Sequence, residues 1–520
     1  MNRLVYTPIN RVIKMMMEKS LRKAFASMLV VLLLVICTNT IALSQQVNIT
    51  GKVTDKNDGL TLSGVSVRVK GVSTAQSVFF TNGFKVSEVT VKSAIIWTRL
   101  CAQEKPNPIV HSRNATVFRH PIKFDEKMSV EKMDGAVKGA SGLVRFTLIR
   151  GKQKRTSKWL VVSDAADYTA HAIFKHLKPA TEYQVLVEGK SSNSAKISST
   201  RGSFKTAPNK HAIVPVALTS STCQYFWSHD DEKRGFKTYD SMNKLNPDFF
   251  IQTGDYVYYD KPGPLANTVE KARHKWHAMD GWLSLREFYK ETPAYFLKDD
   301  HDLLADDAGP TSVPYGDLNF SDGLKTWQEN VPLKDEPYRT FRFGKDLQIW
   351  MVEGREYRSD TKAPDSVRTI WGKEQTSWFK KTMKKSDATF KLVFSPTPIV
   401  GPDREGKADN HANKVYKVEG DWIREFLSGK KNTYVVCGDR HWQYVSIDST
   451  GLTEFGSGPV SDSHAQGWDP DDIRSEHKFL RVKGGFLGIR VYRESNNPFI
   501  QFTHYDAEGK EVNNERFFTN

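Results

Sequence analysis

The feature that most constrains the fold of this 520-residue chain is a series of short apolar runs that alternate with helical stretches after residue 213. The runs IVPVALTSS and DFFIQTGD frame the helical stretch YDSMNKL, and AYFLK, LQIWMVEG, TFKLVFS and NTYVVCGD follow. Helical patterns such as KEQTSWFKKTMKK and DWIREFLS lie between the later runs. This alternation predicts an α/β domain over residues 211–520, with a sheet that is buried on both faces.

Four of these apolar runs end in side chains that can bind metal or transfer protons. The endings are TCQY (222–225), GDYVY (254–258), DDHD (299–302) and GDRH (438–441). Because the carboxyl ends of parallel strands meet at one sheet edge, we expect these side chains to lie together. Each motif alone is an ordinary turn or solvated loop, but the four together predict a site for two or more cations. A bridging aspartate would let the cations clamp a phosphoryl group, and phenolate and thiolate ligands indicate ferric iron.

The region before residue 211 has a different pattern. VTVKSAIIWTRL, LVRFTLIR, KWLVVS and TEYQVLVEG are alternating or apolar runs separated by Gly, Pro, Asn and Ser, which is typical of strands. LKPATEYQVLVEG is similar to a penultimate strand and its corner in fibronectin-like sandwiches, where the tyrosine packs the corner. These runs predict a small all-β, fibronectin-like sandwich over residues 78–210, without residues that carry chemistry.

The N-terminus has the layout of an export signal. Basic residues precede an apolar run over residues 24–37, and small residues follow up to Ser44. The run is short for a membrane span, so we expect residues 1–44 to be a signal peptide, with an uncleaved anchor as the alternative. The mature chain is then expected to lack a transmembrane span and to be periplasmic or extracellular. Residues 45–77 resemble a truncated carboxypeptidase-regulatory-like β segment.

The charge of the chain is moderately basic, with a net charge of +15 and a pI near 9.3. The lysines and arginines are scattered, which is typical of a solvated surface, and the summed field would also attract anionic substrates. No basic stripe interleaved with aromatic residues is present, so the sequence contains no specific nucleic-acid-binding motif. The sequence leaves the oligomeric state open.

The motifs GDYVYY, DDHD and GDRHW, in this order and spacing, resemble those of the PhoD-like alkaline phosphatases of the calcineurin-like metallophosphoesterase superfamily. Supporting stretches are TSSTCQY, EGREYRS, WGKEQTSWF and SPTPIVGPDREGKADNHAN. The resemblance runs from about residue 78 to the C-terminus. It implies a metallophosphoesterase-type β-sheet sandwich flanked by helices, preceded by the small β-sandwich.

The resemblance also implies a set of metal ligands: Cys223, Asp255, Tyr258, Asp300, Asp439 and His441. Asp255 would bridge two ions, while Tyr258 and Cys223 would bind a ferric ion. Asp299 and Asp302 would orient their neighbours in the DDHD motif. The implied cofactors are Fe³⁺ with Ca²⁺, and other divalent metals remain possible.

The resemblance also implies that four further residues act in catalysis or substrate binding. His301, together with Asp255, is implied in catalysis, and His301 would assist the leaving group. Arg355 and Arg358 would bind phosphate bidentately, a geometry that suits guanidinium. His411 is a candidate for a ligand or phosphate contact, and a solvated loop histidine is the alternative for this position.

The predicted function is a secreted metal-dependent phosphatase, in which a metal-bound hydroxide attacks a small-molecule or polymer phosphate ester at a multinuclear site. One alternative is a phosphodiesterase acting on nucleic acid, phospholipid or wall polymer. An alternative from another class is a catalytically inactive metal-binding surface protein. The set of metal-ligand residue types favours the enzyme.

Overall fold

The computed structural model describes residues 77–112, 122–334 and 336–519. The predicted signal peptide, and the predicted regulatory-like segment except for its last residue, lie outside this part of the chain. Over the described ranges, no helix combines the length and apolarity that crossing a membrane requires.

The described strands are β1 (Phe84–Ser87), β2 (Ser93–Arg99), β3 (Gly142–Arg150), β4 (Gln153–Thr156), β5 (Leu160–Val162), β6 (Thr169–Lys175), β7 (Glu182–Lys190), β8 (Ser198–Lys205), β9 (Val216–Ser221), β10 (Phe249–Gln252), β11 (Ala294–Phe296), β12 (Arg339–Phe343), β13 (Leu347–Met351), β14 (Phe390–Ser395), β15 (Thr433–Cys437), β16 (Gln443–Ile447), β17 (Thr453–Ser457), β18 (His477–Arg481), β19 (Phe486–Glu494), β20 (Asn497–Tyr505) and β21 (Glu511–Phe518). The helices are α1 (Lys237–Lys244), α2 (Val269–Met279), α3 (Leu283–Tyr289), α4 (Phe320–Asn330), α5 (Gly372–Lys385) and α6 (Lys417–Ser428).

Two large sheets form the body of the fold. The first has nine strands in the order β21-β20-β19-β9-β10-β11-β1-β2-β6, and the second has seven in the order β12-β13-β14-β15-β17-β16-β18. In the first sheet β9, β10 and β11 are parallel neighbours, and in the second β13, β14 and β15 are parallel. The apolar runs predicted from the sequence form these strands, because side chains on both faces of each run are buried.

The two sheets pack face to face and are covered by helices on their outer faces. Phe249 stacks on Phe343 with ring centroids 4.1 Å apart, and Phe455 stacks on Phe502 at 3.9 Å. Apolar residues of α1, α2 and α3 form one cluster with β10 and β11, and those of α5 and α6 form another with β14 and β15. This arrangement confirms the predicted α/β sandwich flanked by helices.

The strands before residue 210 divide between two sheets. A smaller sheet contains β4, β3, β7 and β8, with β5 paired to β3. The tyrosine of the predicted corner is Tyr183, which is buried, and the backbone N–H of Lys178 donates to its hydroxyl (2.8 Å). However, β1, β2 and β6 extend the nine-stranded sheet, where Ser87 of β1 pairs with Ala294 of β11. The nine-stranded sheet therefore crosses the predicted boundary at residue 210, because alternation identifies a strand but not its pairing partner.

Candidate functional site

The candidate site lies where β9, β10, β11 and β15 end, and hydrogen bonds tie the loops of these strands together. The N–H of Cys223 donates to the carbonyl of Gly254 (3.2 Å), which joins the loops after β9 and β10. The N–H of Asp439 donates to Thr222 Oγ1 (3.3 Å), which joins the loop after β15 to the other sheet. Side chains from both sheets are thereby held at one edge of the sandwich.

The backbone at this edge is strained at three candidate ligands. Cys223, Asp255 and Asp439 have φ values of 51°, 58° and 62°, in the left-handed region that side chains other than glycine rarely adopt. Gly254 has φ of +110°, and a Cβ placed there would lie 2.7 Å from Asp299 Cβ. Such conformations cluster at functional sites, where the surrounding structure enforces them.

One group of ligand atoms contains sulfur, oxygen and nitrogen. One atom each of Cys223, Asp255 and His441 lies within 4.8 Å of the others. The hydroxyl of Tyr258 donates to Asp255 Oδ2 (3.0 Å) and lies 3.2 Å from His441 Nε2. Burial lowers the pKa of His441 well below its usual value, so its ring is neutral, the form that binds metal. This mixture of thiol, phenol, imidazole and carboxylate fits a transition-metal ion.

Asp255 also belongs to two groups that are dominated by carboxylates. It joins Asp300 and His301 in one group, and Asp299 and Asp439 in the other. Asp255 Oδ1 and Asp299 Oδ2 are buried without a hydrogen-bond partner among the described residues. Because burial raises the pKa of Asp255, a bound cation would offset the cost of its negative charge. The oxygens therefore fit a second, harder cation.

Asp302 connects the loops after β10 and β11 through its carboxylate. Its Oδ2 accepts the N–H groups of Asp255 (2.9 Å) and Asp299 (3.0 Å), and its Oδ1 accepts that of Val257 (2.9 Å). The side chain is fully buried. Asp302 thus fixes the backbone of two candidate ligands.

His301 lies beside the candidate ligands and is held by a carboxylate that the sequence analysis did not single out. His301 Nδ1 lies 2.7 Å from Asp260 Oδ1, and its ring is 4.5 Å from that of Tyr258. Burial alone would lower the pKa of His301, but the carboxylates of Asp260, Asp300 and Asp255 outweigh it and raise the pKa to about 10. Asp260 follows Asp255 by five positions, and only the fold shows that it faces the imidazole.

The two arginines predicted to bind phosphate differ in their surroundings. Arg355 is fully buried, forms an ion pair with Asp299 and another with Asp409 (3.0 Å), and lies 3.5 Å from Asp300. Arg358 donates to the carbonyl of Asp307. In each arginine Nη1 is buried without a partner among the described residues, so one donor remains for a further acceptor.

The structure does not bring His411 together with the candidate ligands. Its Nε2 lies 3.0 Å from Glu419 Oε2, and its ring meets Trp371 edge-on at 5.5 Å. The side chain is fully buried, so the alternative of a solvated loop histidine is wrong. The predicted substrate contact of His411 stays a prediction.

Two residues that the sequence analysis did not identify, Lys261 and His464, also lie at the site. His464 Nε2 is 3.0 Å from the hydroxyl of Tyr258, and its ring is 4.3 Å from that of His441. Lys261 Nζ is 3.3 Å from His464 Nε2 and 3.8 Å from the ring centroid of Tyr258. His464 lies in a short turn beyond β17, and no motif in the sequence connects it to the other ligands.

Comparisons with known proteins identify the family and the fold. Residues 217–484 match the family model of the PhoD-like phosphatases. The fold is similar to the structure of PhoD, with 17% identity, a TM-score of 0.63, and coverage of 83% of this chain and 88% of that chain. It is also similar to purple acid phosphatase PPD1 from yellow lupin (Lupinus luteus) seeds, with 9% identity, a TM-score of 0.55, and coverage of 83% and 73%. These likenesses confirm the predicted metallophosphoesterase-type fold. The comparison with curated proteins found no match.

Proposed function

The chain belongs to the PhoD-like phosphatase family, and from this premise we propose that it is an exported, metal-dependent phosphatase that acts at the site around Asp255. The family makes it a phosphoric ester hydrolase whose substrate is a phosphate ester. We further propose that it is of the alkaline phosphatase D-like subtype, that it binds metals through the residues named below, and that it acts outside the cytoplasm.

The environment of Asp255 carries this proposal. Its carboxylate is fully buried, takes part in three of the candidate ligand groups, and has one oxygen without a hydrogen-bond partner in the described structure. A buried carboxylate with an unpartnered oxygen is costly unless a cation or a proton is shared with it. Cations held by Asp255 would account for both the burial of its carboxylate and the unpartnered oxygen.

The candidate ligands divide into two sets by their chemistry. We expect Cys223, Asp255, Tyr258 and His441 to hold Fe³⁺, and Asp255, Asp300 and Asp439 to hold Ca²⁺ or another divalent ion. Asp299, with its unpartnered oxygen, is a further candidate for the second set. Bound ions would supply the Lewis acidity that activates a water molecule and neutralises charge on the phosphoryl oxygens.

His301 holds the proton that is transferred to the leaving group, and Arg355 and Arg358 orient the substrate. Asp260 accepts the Nδ1–H of His301, which leaves the Nε2–H to donate to the oxygen of the leaving alcohol. The unpartnered Nη1 atoms of Arg355 and Arg358 are candidate donors to phosphate, and Asp299 restricts the orientation of Arg355. His301 thereby assists departure of the alcohol, while the arginines orient the ester.

The experiment that tests the function compares two esters and measures metal content. Purified mature protein is assayed with p-nitrophenyl phosphate and its bis-ester, with and without chelator, and bound metals are measured by mass spectrometry. We expect turnover that chelator abolishes and that iron and calcium restore. Faster turnover of the bis-ester would favour a phosphodiesterase. If neither ester is turned over with both metals supplied, the proposal is wrong and a metal-binding surface protein is favoured.

The proposed export is tested separately. Residues 1–44 predict removal before Gln45, so intact-mass analysis of the protein recovered outside the cytoplasm should give a chain that begins at that residue. A chain that keeps its first 44 residues in a membrane fraction would contradict the signal-peptide assignment.

A further inference from the structure

Lys261 lies beside the candidate metal ligands and has aromatic and imidazole neighbours. Its Nζ is 3.8 Å from the ring centroid of Tyr258, 5.5 Å from that of Tyr225 and 3.3 Å from His464 Nε2. The side chain is half-buried. It therefore brings a positive charge to the edge of the site.

The ammonium of Lys261 forms no ion pair with a carboxylate in the described ranges. Other lysines with buried surroundings do: Lys298 Nζ lies 2.5 Å from Glu356, Lys407 Nζ lies 3.0 Å from Asp307, and Lys85 Nζ lies 2.7 Å from Asp280. Holding a partly buried cation without a paired anion is unfavourable. The carboxylates of Asp260 and Asp255 attract the ammonium from beyond ion-pair distance, and an anion that is bound during function would pair with it directly.

The backbone around Lys261 is fixed by hydrogen bonds from three neighbours. Lys275 Nζ donates to the carbonyl of Lys261 (2.9 Å), the Tyr225 hydroxyl to that of Pro262 (2.7 Å), and Trp227 Nε1 to that of Gly263 (2.8 Å). Tyr225 and Trp227 belong to the segment that carries Cys223. The backbone that carries Lys261 is thus held in a fixed relation to the candidate metal ligands, and the contacts of its Nζ with His464 and Tyr258 restrict the side chain, which reduces the entropy lost when a substrate binds.

We propose that Lys261 contacts a non-bridging oxygen of the substrate's phosphoryl group and makes the site prefer phosphate monoesters to diesters. This inference rests on the proposed function. A monoester carries two negative charges at neutral pH and a diester carries one, so an unpaired ammonium attracts the monoester about twice as strongly. Lys261 would act in substrate binding, and His464 would position its ammonium.

The test compares variants of Lys261 in the metal-loaded, full mature chain. Lys261→Gln removes the charge, Lys261→Arg keeps it, and Lys261→Met keeps the aliphatic stem if the Gln variant does not fold. Lys380→Gln is the matched control, because Lys380 on α5 is also half-buried and its Nζ lies 4.1 Å from the ring centroid of Trp422 on α6. Thermal unfolding is measured for each variant.

We expect Lys261→Gln to raise KM for p-nitrophenyl phosphate by about tenfold and KM for the bis-ester by less than about threefold, with kcat nearly unchanged. Lys261→Arg should keep the monoester KM within about threefold of the wild-type value, and Lys380→Gln should match the wild type. Calorimetric titration with inorganic phosphate should show about tenfold weaker binding to Lys261→Gln. An equal rise in both KM values, or no rise in either, would overturn the inference.

Different results would contradict the proposed function and the proposed role of Lys261. If the wild-type protein hydrolyses neither ester, the proposed function fails, and phosphate titration still decides the role of Lys261. Unchanged phosphate affinity in Lys261→Gln would then show that the ammonium does not contact phosphate. If the wild type is active and its ester preference is unaltered in the variant, only the role of Lys261 is wrong.

Discussion

At the scale of single residues, the site depends on carboxylates that are buried together. Asp255, Asp299 and Asp302 are each fully buried, yet only Asp302 has both oxygens occupied by N–H donors. The unpartnered oxygens of the other two mark where cations would bind. Substitution of Asp255 should therefore mainly lower turnover, whereas substitution of Asp302 should mainly weaken metal binding.

Asp255→Asn should lower kcat with p-nitrophenyl phosphate by more than about 10⁴-fold, because the amide weakens both proposed ion sites. His301→Ala should lower kcat by about 10²–10³-fold, because only proton donation to the leaving group is lost. Steady-state kinetics with saturating metal measures both effects, and exposed Asp317→Asn is the control. Comparable rates for the Asp255 and His301 variants would contradict the assignment.

Asp302→Asn should weaken metal binding by about 10–100-fold while keeping a larger share of kcat once metal is saturating. Asparagine keeps only one acceptor oxygen, so its NH₂ group faces either the N–H of Val257 or those of Asp255 and Asp299 and cannot accept from them. Metal titration followed by activity separates affinity from turnover, and exposed Asp471→Asn serves as the matched control. A loss of kcat as large as that of Asp255→Asn would instead make Asp302 part of the catalytic machinery.

At the scale of elements, the site is built from the turns that follow parallel strands. The turn after β10 passes so close to the loop after β11 that Gly254 allows no side chain towards Asp299. The same turn places Asp255 in a left-handed conformation. These turns are therefore strained by their tertiary contacts, which keep the candidate ligands together.

Gly254→Ala should destabilise the protein by about 1–3 kcal/mol, because the methyl group meets Asp299 and φ of +110° disfavours alanine. It should also reduce bound metal. Urea unfolding and metal analysis test both effects. Gly406→Ala is the control, since a Cβ at Gly406 has no atom within 4 Å and should change stability by less than about 0.5 kcal/mol. Equal free energies of unfolding for the two variants would show that the turn after β10 shifts to accommodate the methyl group.

At the scale of the whole molecule, the two-sheet core also encloses polar groups. His504 on β20 is fully buried, its Nε2 donates to the carbonyl of Gly456 (3.1 Å), and its Nδ1 accepts from Asn513 (3.4 Å). Burial lowers the pKa of His504 from 6.5 to about 4. Between about pH 4 and pH 6.5, the imidazole of His504 is therefore neutral in the folded state, whereas the same imidazole is protonated in the unfolded chain.

Stability should therefore fall as the pH decreases from about 6.5 towards 4, because the unfolded state binds more protons. His504 alone should contribute about 1.4 kcal/mol per pH unit in this window. His504→Gln retains a donor and an acceptor but does not titrate, so the slope of unfolding free energy against pH should decrease by that amount. Denaturant unfolding at several pH values measures the slope, with exposed His211→Gln as control. An unchanged slope in His504→Gln would mean that His504 is hydrated in the folded state.

The order of apolar and polar residues predicts which segments form strands and which strand ends carry side chains that can bind metal. Continuous apolar runs have only one stable place, inside a sheet covered on both faces, and parallel strands bring their carboxyl ends to one edge. The motifs at 222–225, 254–258, 299–302 and 438–441 therefore predict one site. The same pattern predicts an α/β domain, and the resemblance to the PhoD-like phosphatases implies the two-sheet sandwich.

Tertiary packing determines which strands pair across long separations and which distant side chains complete the site. Periodicity shows the buried face of a strand but not its neighbour, so the extension of the nine-stranded sheet by β1, β2 and β6 was not foreseen. Asp260, Lys261 and His464 reach the site through loop conformations that no local pattern specifies. Their positions depend on long-range packing and hydrogen bonds, which exist only once the two sheets have come together.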